Sequence, residues 1–273
     1  MTPPDTARAD RALHRLRELR SVLVVLSGGV DSALVLSLAS EALGPTVRAF
    51  TAAGPAVLPV EVQTAREVAG RLGVAHVVEA TNELDREGYR ANQGDRCFHC
   101  REELYTRARA AADAAGVVHL VDGTQLDDLG EHRPGLRAAA RAGVVHVLVE
   151  AGFDKAAVRR VARARGLAIW DKPAEPCLGS RLQVGTAVTP TRLARVAALE
   201  AWLAAEGFHE VRVRTEAAAD GDHARVEVAA GEVPRLRDAA AVLGARAVAA
   251  GFVSVQVDPR GYRRGGAAPG GPA

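Results

Sequence analysis

The chain has 273 residues, of which 48% are hydrophobic and 25% charged, and a formal net charge of +2. It is long enough for one large or two modest domains with a sizeable core, and its near-neutral balance lacks the basic patch or stripe of a dedicated nucleic-acid surface. No segment approaches the roughly eighteen uninterrupted apolar residues of a membrane span. The start, Met1 to Asp10, is polar and carries two prolines, so no secretory signal is expected. Three cysteines, an odd number, do not suggest a disulfide framework. A cytoplasmic protein with reduced thiols is expected. Arginine heavily outnumbers lysine and alanine is abundant, which high genomic GC content accounts for.

In chain order, the first strong signal is an apolar strand, Ser21–Leu26, running into Ser27-Gly28-Gly29-Val30-Asp31-Ser32 and then a helical pattern over Ala33–Ala42. Two glycines let the backbone turn sharply and approach a ligand with no Cβ in the way. The loop N–H groups and the following helix N-terminus make an anion site, with Ser27 and Ser32 adding hydroxyl donors. A phosphate ligand is expected. The loop has no Gly-Lys-Ser/Thr ending, so the Walker A arrangement does not apply; an ordinary glycine turn is the plainer alternative.

Val47–Thr51, His76–Glu79, Val117–Val121 and Val145–Val149 read as further short buried strands. Helices are expected between them, at Pro59–Arg71, Phe98–Ala115 and Arg133–Ala142. This alternation predicts βαβ units and a parallel sheet covered on both faces, with ligands at the carboxyl ends of its strands.

Asp95-Arg96-Cys97-Phe98-His99-Cys100 holds a Cys-x-x-Cys, open to zinc, iron–sulfur, redox disulfide, or two small buried hydrophobes. A complete structural zinc site needs four ligands, and no second pair exists. Asp122-Gly123-Thr124-Gln125-Leu126-Asp127-Asp128 follows a strand, so its carboxylates are placed either to hold Mg²⁺ on phosphates or to cap turns. Asp154–Gly166 reads as another helix, ended by Gly166. Cys177 lies in a loop bounded by Pro173, Pro176 and Gly179, where Lys172 and Arg181 are near enough in sequence to favour thiolate.

The pattern changes near Gly185–Pro190. Thr189–Glu206 reads as a helix capped by Thr189 with Pro190 in its first turn. Glu210–Thr215, Ala224–Ala229 and Phe252–Val257 alternate as half-exposed strands. Arg212 and Arg214 share one strand face, placed either to grip a phosphate or to line a solvated surface. The tail from Gly261 is rich in Gly, Pro and Ala and reads as disordered.

The Ser-Gly-Gly-x-Asp-Ser loop resembles the PP-loop family of ATP pyrophosphatases, and this implies cleavage of ATP between its α- and β-phosphates. Taken with Asp95–Cys100, Leu104-Tyr105, Asp122–Thr124, Asp127-Asp128, Arg133–Arg137, Glu150–Gly152, Trp170–Pro173, Cys177-Leu178 and Ser180-Arg181, the chain resembles the LarE-type sulfur transferases of nickel-pincer cofactor synthesis from Ser27 to about Thr189. Pro176, Gly179 and Gln183-Val184 depart from the pattern. The resemblance implies an α/β fold: a parallel-sheet PP-loop (adenine nucleotide α-hydrolase-like) domain over residues 1–187, with a smaller α+β substrate or oligomerisation domain over 188–260 and a tail over 261–273. It implies an enzyme using ATP and Mg²⁺, with Ser27, Gly28, Gly29, Asp31, Ser32 and Asp128 at the nucleotide. It also implies a carboxylated pyridinium mononucleotide as substrate, its phosphate held by Ser180, Arg181, Arg212 and Arg214, with Glu200 and Glu232 as further ligand candidates. A homo-oligomer without nucleic acid or membrane partner is expected. The sulfur comes through Cys177, either sacrificed itself or joined with Cys97 and Cys100 on a [4Fe–4S] cluster; the count of three cysteines favours the cluster. An ammonia-dependent synthetase or a tRNA thiolase on the same loop, and a metal-binding protein retaining the nucleotide fold, are the alternatives. A synthetase would not need Cys177.

Overall fold

The computed structural model describes residues 1–130 and 134–263. The expected helix start at Arg133 and the tail beyond residue 263 lie outside the described residues. In chain order the elements are α1 (Pro3–Leu19), β1 (Val22–Val25), α2 (Val30–Leu43), β2 (Val47–Ala52), α3 (Pro59–Arg71), β3 (Ala75–Glu79), α4 (Glu87–Ala91), α5 (Arg96–Ala114), β4 (His119–Val121), α6 (Gly135–Arg141), α7 (Val147–Glu150), α8 (Lys155–Ala164), α9 (Pro190–Ala205), β5 (Arg212–Ala218), β6 (Gly221–Glu227), α10 (Val233–Asp238), α11 (Ala240–Ala250) and β7 (Val255–Val257). None of the described helices is long and apolar enough to cross a membrane.

Two compact units divide the chain. The first comprises Met1–Glu83 and Cys97–Glu175; the second comprises Leu84–Arg96 and the chain from Pro176. The first unit is α/β. Its four strands are all parallel, in the order β3-β2-β1-β4. β1 reads Val-Leu-Val-Val and is buried along its whole length, as befits a strand covered on both faces. Val22, Val24, Val47 and Ala49 join a core with α1, α2 and α8, while Leu23, Val25 and Phe50 join one with Phe98 and Tyr105 of α5. The chain steps outward from β1 to β2 and β3 and then returns to the other side of β1 for β4. That reversal opens a crevice at the carboxyl ends of β1 and β4, the position where open α/β sheets bind ligands.

Two elements of this first unit differ from expectation. Val145–Val149 is not a strand: Val145 alone bridges to Val121, and the run continues as the short helix α7. An apolar run this short has the same signature whether buried as strand or as helix turn. The polar start forms α1, with Thr2 accepting from Asp5 N as its cap and the two prolines in the first turn, where a missing N–H costs nothing.

The second unit is α+β. β5 and β6 are antiparallel and β7 joins β6 in parallel. Leu193, Val196, Leu199 and Leu203 of α9 are buried, as are Val213 of β5, Val226 of β6 and Leu243 of α11. Gly261–Arg263 do not hang free: Tyr262 N donates to Val228 O at 2.7 Å, and Arg212 lies over the Tyr262 ring at 5.0 Å.

Candidate active site

The Ser27–Ser32 loop leaves β1 at the crevice. Gly28 has φ +81°, and a Cβ there would lie 2.3 Å from Glu61 O, so both the conformation and the space require glycine. Gly29 is the N-cap of α2. The Ser32 hydroxyl donates to Gly29 O at 3.2 Å and lies 3.2 Å from Ser27 N and from Ser27 Oγ, so the two serines cross-brace the turn. Gly123, at the carboxyl end of β4, packs onto the same loop: a Cβ there would lie 2.5 Å from Ser32 N. The structure therefore brings Ser27, Gly28, Gly29, Asp31 and Ser32 together with the Asp122–Asp128 segment.

Asp31 is half-buried, and Lys155 Nζ, at the start of α8, donates to its Oδ2 at 2.6 Å. Its Oδ1 is buried with no hydrogen-bond partner. Burial pushes the Asp31 carboxyl above the ordinary carboxylate range against the pull of Lys155, and the charge of Asp128 pushes the same way. An unsatisfied carboxylate oxygen is a hard donor of the type that divalent cations such as Mg²⁺ take.

Turn chemistry explains part of the acidic segment. Asp122 Oδ1 accepts from Thr124 N at 3.0 Å, and Asp128 Oδ2 accepts from Gln125 N at 3.0 Å in a capping box. Asp122 also sits in a buried network: it accepts from the Tyr105 hydroxyl at 2.8 Å and from Arg101 at 3.2 Å, with His146 Nδ1 at 2.8 Å. Burial alone would raise its carboxyl, but the His146 hydrogen bond and the Arg101 charge outweigh burial and hold it well below the usual carboxylate range. Burial is also the main reason the Tyr105 hydroxyl stays protonated far above its ordinary pKa. Sequence reasoning missed His146, Arg101 and Lys155, because each reaches its partner through the fold rather than through a local motif.

Cys97 and Cys100 lie on the first turns of α5, in the first unit; Cys97 is exposed and Cys100 half-buried, so they are not the small core residues of the plainer reading. Cys177 belongs to the second unit and is half-buried. None of the three is in a disulfide. Among the described residues, no three His, Cys, Asp or Glu side chains are grouped to hold a metal ion.

Cys177 precedes a 3-10 turn, Leu178–Arg181, and its carbonyl accepts from Ser180 N at 2.9 Å and Ser180 Oγ at 2.8 Å. A side chain at Gly179 would press on Arg96 Nε and the Tyr89 hydroxyl at 3.2 and 3.3 Å, a physical reason for glycine there. Arg181 is fully buried, paired with Glu200 at 2.9 and 3.0 Å and donating to Pro176 O. Glu200 also accepts from Val213 N at 2.9 Å. Arg214 binds Glu227 at 2.9 Å and donates to Ser180 O at 3.1 Å. Arg212 and Arg214 are only 6% and 5% exposed, so their strand face is not a solvated one. Glu232 instead accepts from His209 N at 2.8 Å on the surface.

Comparison with known proteins agrees with this geometry. Residues 8–115 match the asparagine synthase family. A pyridinium-3,5-bisthiocarboxylic acid mononucleotide synthase from Lactiplantibacillus plantarum is 32% identical over 92% of this chain and 90% of its own length. A protein of Synechocystis sp. is 41% identical over 73% of this chain and 74% of its own length, and one from Methanocaldococcus jannaschii is 25% identical over 71% and 74%. With its Ser-Gly-Gly-x-Asp-Ser loop at the reversal point of a parallel sheet, and a relative this similar over nearly its whole length, the chain belongs to the LarE-type family of PP-loop, ATP-using sulfurtransferases.

Proposed function

We propose that this enzyme serves nickel-pincer cofactor synthesis by converting a carboxylate of pyridinium-3,5-biscarboxylic acid mononucleotide into a thiocarboxylate. The observation that carries this reading is the braced Ser27–Ser32 loop at the carboxyl end of β1. A carboxylate is a poor electrophile, so it must first be activated. Its oxygen attacks the α-phosphorus of ATP, the bond to the bridging oxygen breaks, and pyrophosphate leaves on the loop N–H groups and the Ser27 and Ser32 hydroxyls. Mg²⁺ on the phosphates is assigned to Asp31, through its unsatisfied Oδ1, with Asp128 beside it.

The acyl adenylate has AMP as a good leaving group, and the Cys177 thiolate is the assigned nucleophile. Attack at the carbonyl carbon expels AMP and forms a thioester. Loss of the Cys177 Cα proton then breaks the Cβ–S bond, which releases the thiocarboxylate and leaves dehydroalanine. The three thiols of Cys97, Cys100 and Cys177 are soft donors of the kind that hold a [4Fe–4S] cluster through three of its irons. Bound there, such a cluster would supply a sulfide and spare Cys177. We assign the substrate phosphate to Ser180, Arg181, Arg212 and Arg214, with Glu200 and Glu227 fixing the guanidinium planes. Assignment of this small-molecule substrate, a cytoplasmic setting and a homo-oligomer follow from the same family reading.

Anaerobic purification with iron and acid-labile sulfide analysis separates the two sulfur sources. Iron bound by wild type and lost in each cysteine-to-alanine variant supports the cluster. No iron, with Cys177 lighter by one H₂S after a single turnover, establishes the sacrificial route.

A further inference from the structure

Asn92 closes α4 in the left-handed region at φ +52°, a conformation asparagine tolerates, and is 1% exposed. Its Nδ2 donates to Gln183 O at 2.8 Å and to Thr186 O at 2.9 Å, and its own carbonyl accepts from Gly185 N at 2.8 Å. Main-chain carbonyls can only accept, so the amide orientation is fixed and Oδ1 faces the other way. There it accepts from a terminal nitrogen of Arg96 at 2.9 Å. The bonds to Gln183 and Thr186 run through backbone atoms, so the departure at Gln183-Val184 leaves them intact.

That hydrogen bond holds the Arg96 guanidinium against the Cys177 turn. A Cβ on Gly179, two residues past Cys177, would lie 3.2 Å from Arg96 Nε and 3.5 Å from its Cζ. Other arginines of this turn are committed, Arg181 to Glu200 and Pro176 O, Arg214 to Glu227 and Ser180 O. Arg96 is half-buried and has Asn92 as its one hydrogen-bond or ion-pair partner among the described residues. A guanidinium fixed at one nitrogen, with the rest of its fork open, suits a carboxylate. The substrate assigned above carries two carboxylates on one ring. While one is adenylated and attacked, the other keeps its charge, and holding it fixes the ring. We propose that Arg96 binds the second, unreacted carboxylate of the substrate, with Asn92 as the positioning residue that sets its fork. The proposal rests on the mononucleotide reading above and names a residue that discriminates among such mononucleotides.

The test is titration calorimetry on the full-length protein with two probes. One is the biscarboxylated mononucleotide; the other is nicotinamide mononucleotide, which keeps ring, ribose and phosphate but has no carboxylate. Arg96→Gln should weaken the biscarboxylate by about 10- to 100-fold, the effect of losing a charge-assisted bidentate contact, and leave nicotinamide mononucleotide within about twofold. Arg96→Lys should recover only part of the loss, because an ammonium cannot form the fork. Asn92→Gly keeps the left-handed backbone and should cost about tenfold on the biscarboxylate alone. Unchanged biscarboxylate affinity in Arg96→Gln overturns the assignment. So does an equal loss for both probes, which would put Arg96 on the phosphate or in the scaffold. Full affinity in Arg96→Lys overturns the fixed fork, and an equal loss for both probes in Asn92→Gly overturns its positioning role. Wild type that binds the two probes equally contradicts the Arg96 assignment alone. Wild type that binds neither contradicts the substrate reading, and the assignment falls with it.

Discussion

Replacing Gly123 with alanine tests the coupling between the end of β4 and the Ser27–Ser32 loop. Gly123 is not in a left-handed conformation, so the effect is purely steric. The added methyl would sit 2.5 Å from Ser32 N and 2.9 Å from Asp31 C and Ser32 Cα, all backbone atoms that cannot rotate away. To reach the 3.4 Å at which ordinary contact begins, the loop must retreat by about 0.9 Å, the difference of the two distances. Overpacking of this kind costs about 1–3 kcal/mol. Misplacing reacting groups by about 1 Å costs about 10²-fold in rate. The Gly123→Ala protein should therefore stay folded, with a modestly lowered Tm, while pyrophosphate release falls by about two orders of magnitude. Thermal unfolding and a coupled pyrophosphate assay read the two effects. A variant with wild-type kcat/KM would refute the claim that this contact holds the loop in its working geometry.

Other outcomes are equally specific. Asp31→Ala and Ser32→Ala should each lose pyrophosphate release with the fold intact; unchanged release in both removes the assignment of this loop to ATP. Arg212→Lys and Arg214→Lys should each weaken mononucleotide binding about tenfold and spare ATP, because a fork becomes a point charge; affinities equal to wild type would reduce the pair to scaffold. Asp222, buried and bonded to Arg192 at 2.8 Å and Arg195 at 2.8 Å, has its carboxyl held below the ordinary range, first by the Arg192 hydrogen bond. A depressed folded pKa stabilises above the unfolded value near about 3.9 and is lost as pH falls through the folded one. The penalty of Asp222→Asn in urea unfolding should thus be largest at neutral pH and shrink below about pH 4; a pH-independent penalty would contradict the shift.

What was legible in the sequence had local causes. The loop glycines, the α3 pattern from Pro59 to Arg71, and the Thr189 cap with Pro190 behind it each announce themselves within a few residues, and the structure places all three as expected. The start of α1 has equally local signals in Thr2, Pro3 and Pro4; they were hidden by a polar composition that suggested no element. Val145–Val149 reads as a strand because an apolar run this short carries no periodicity that separates a strand from a helix turn. The remaining misses are long-range. Lys155 reaches Asp31 across 124 residues, and His146 reaches Asp122 across 24, through crossovers that set no local spacing. That Arg181 and Arg214 are buried depends on Glu200 and Glu227 arriving from α9 and β6. No residue pattern near either arginine encodes that pairing.

The most direct test of the account is a single anaerobic turnover with ATP, Mg²⁺ and the biscarboxylated mononucleotide, comparing wild type with Cys177→Ser. Wild type should release pyrophosphate and AMP in equal amounts to a product carrying sulfur in place of one carboxylate oxygen. Cys177→Ser should still release pyrophosphate, since activation precedes sulfur transfer, but form no sulfur-bearing product. Thiocarboxylate formed by Cys177→Ser at the wild-type rate, or an amide formed from ammonia by either protein, would contradict it.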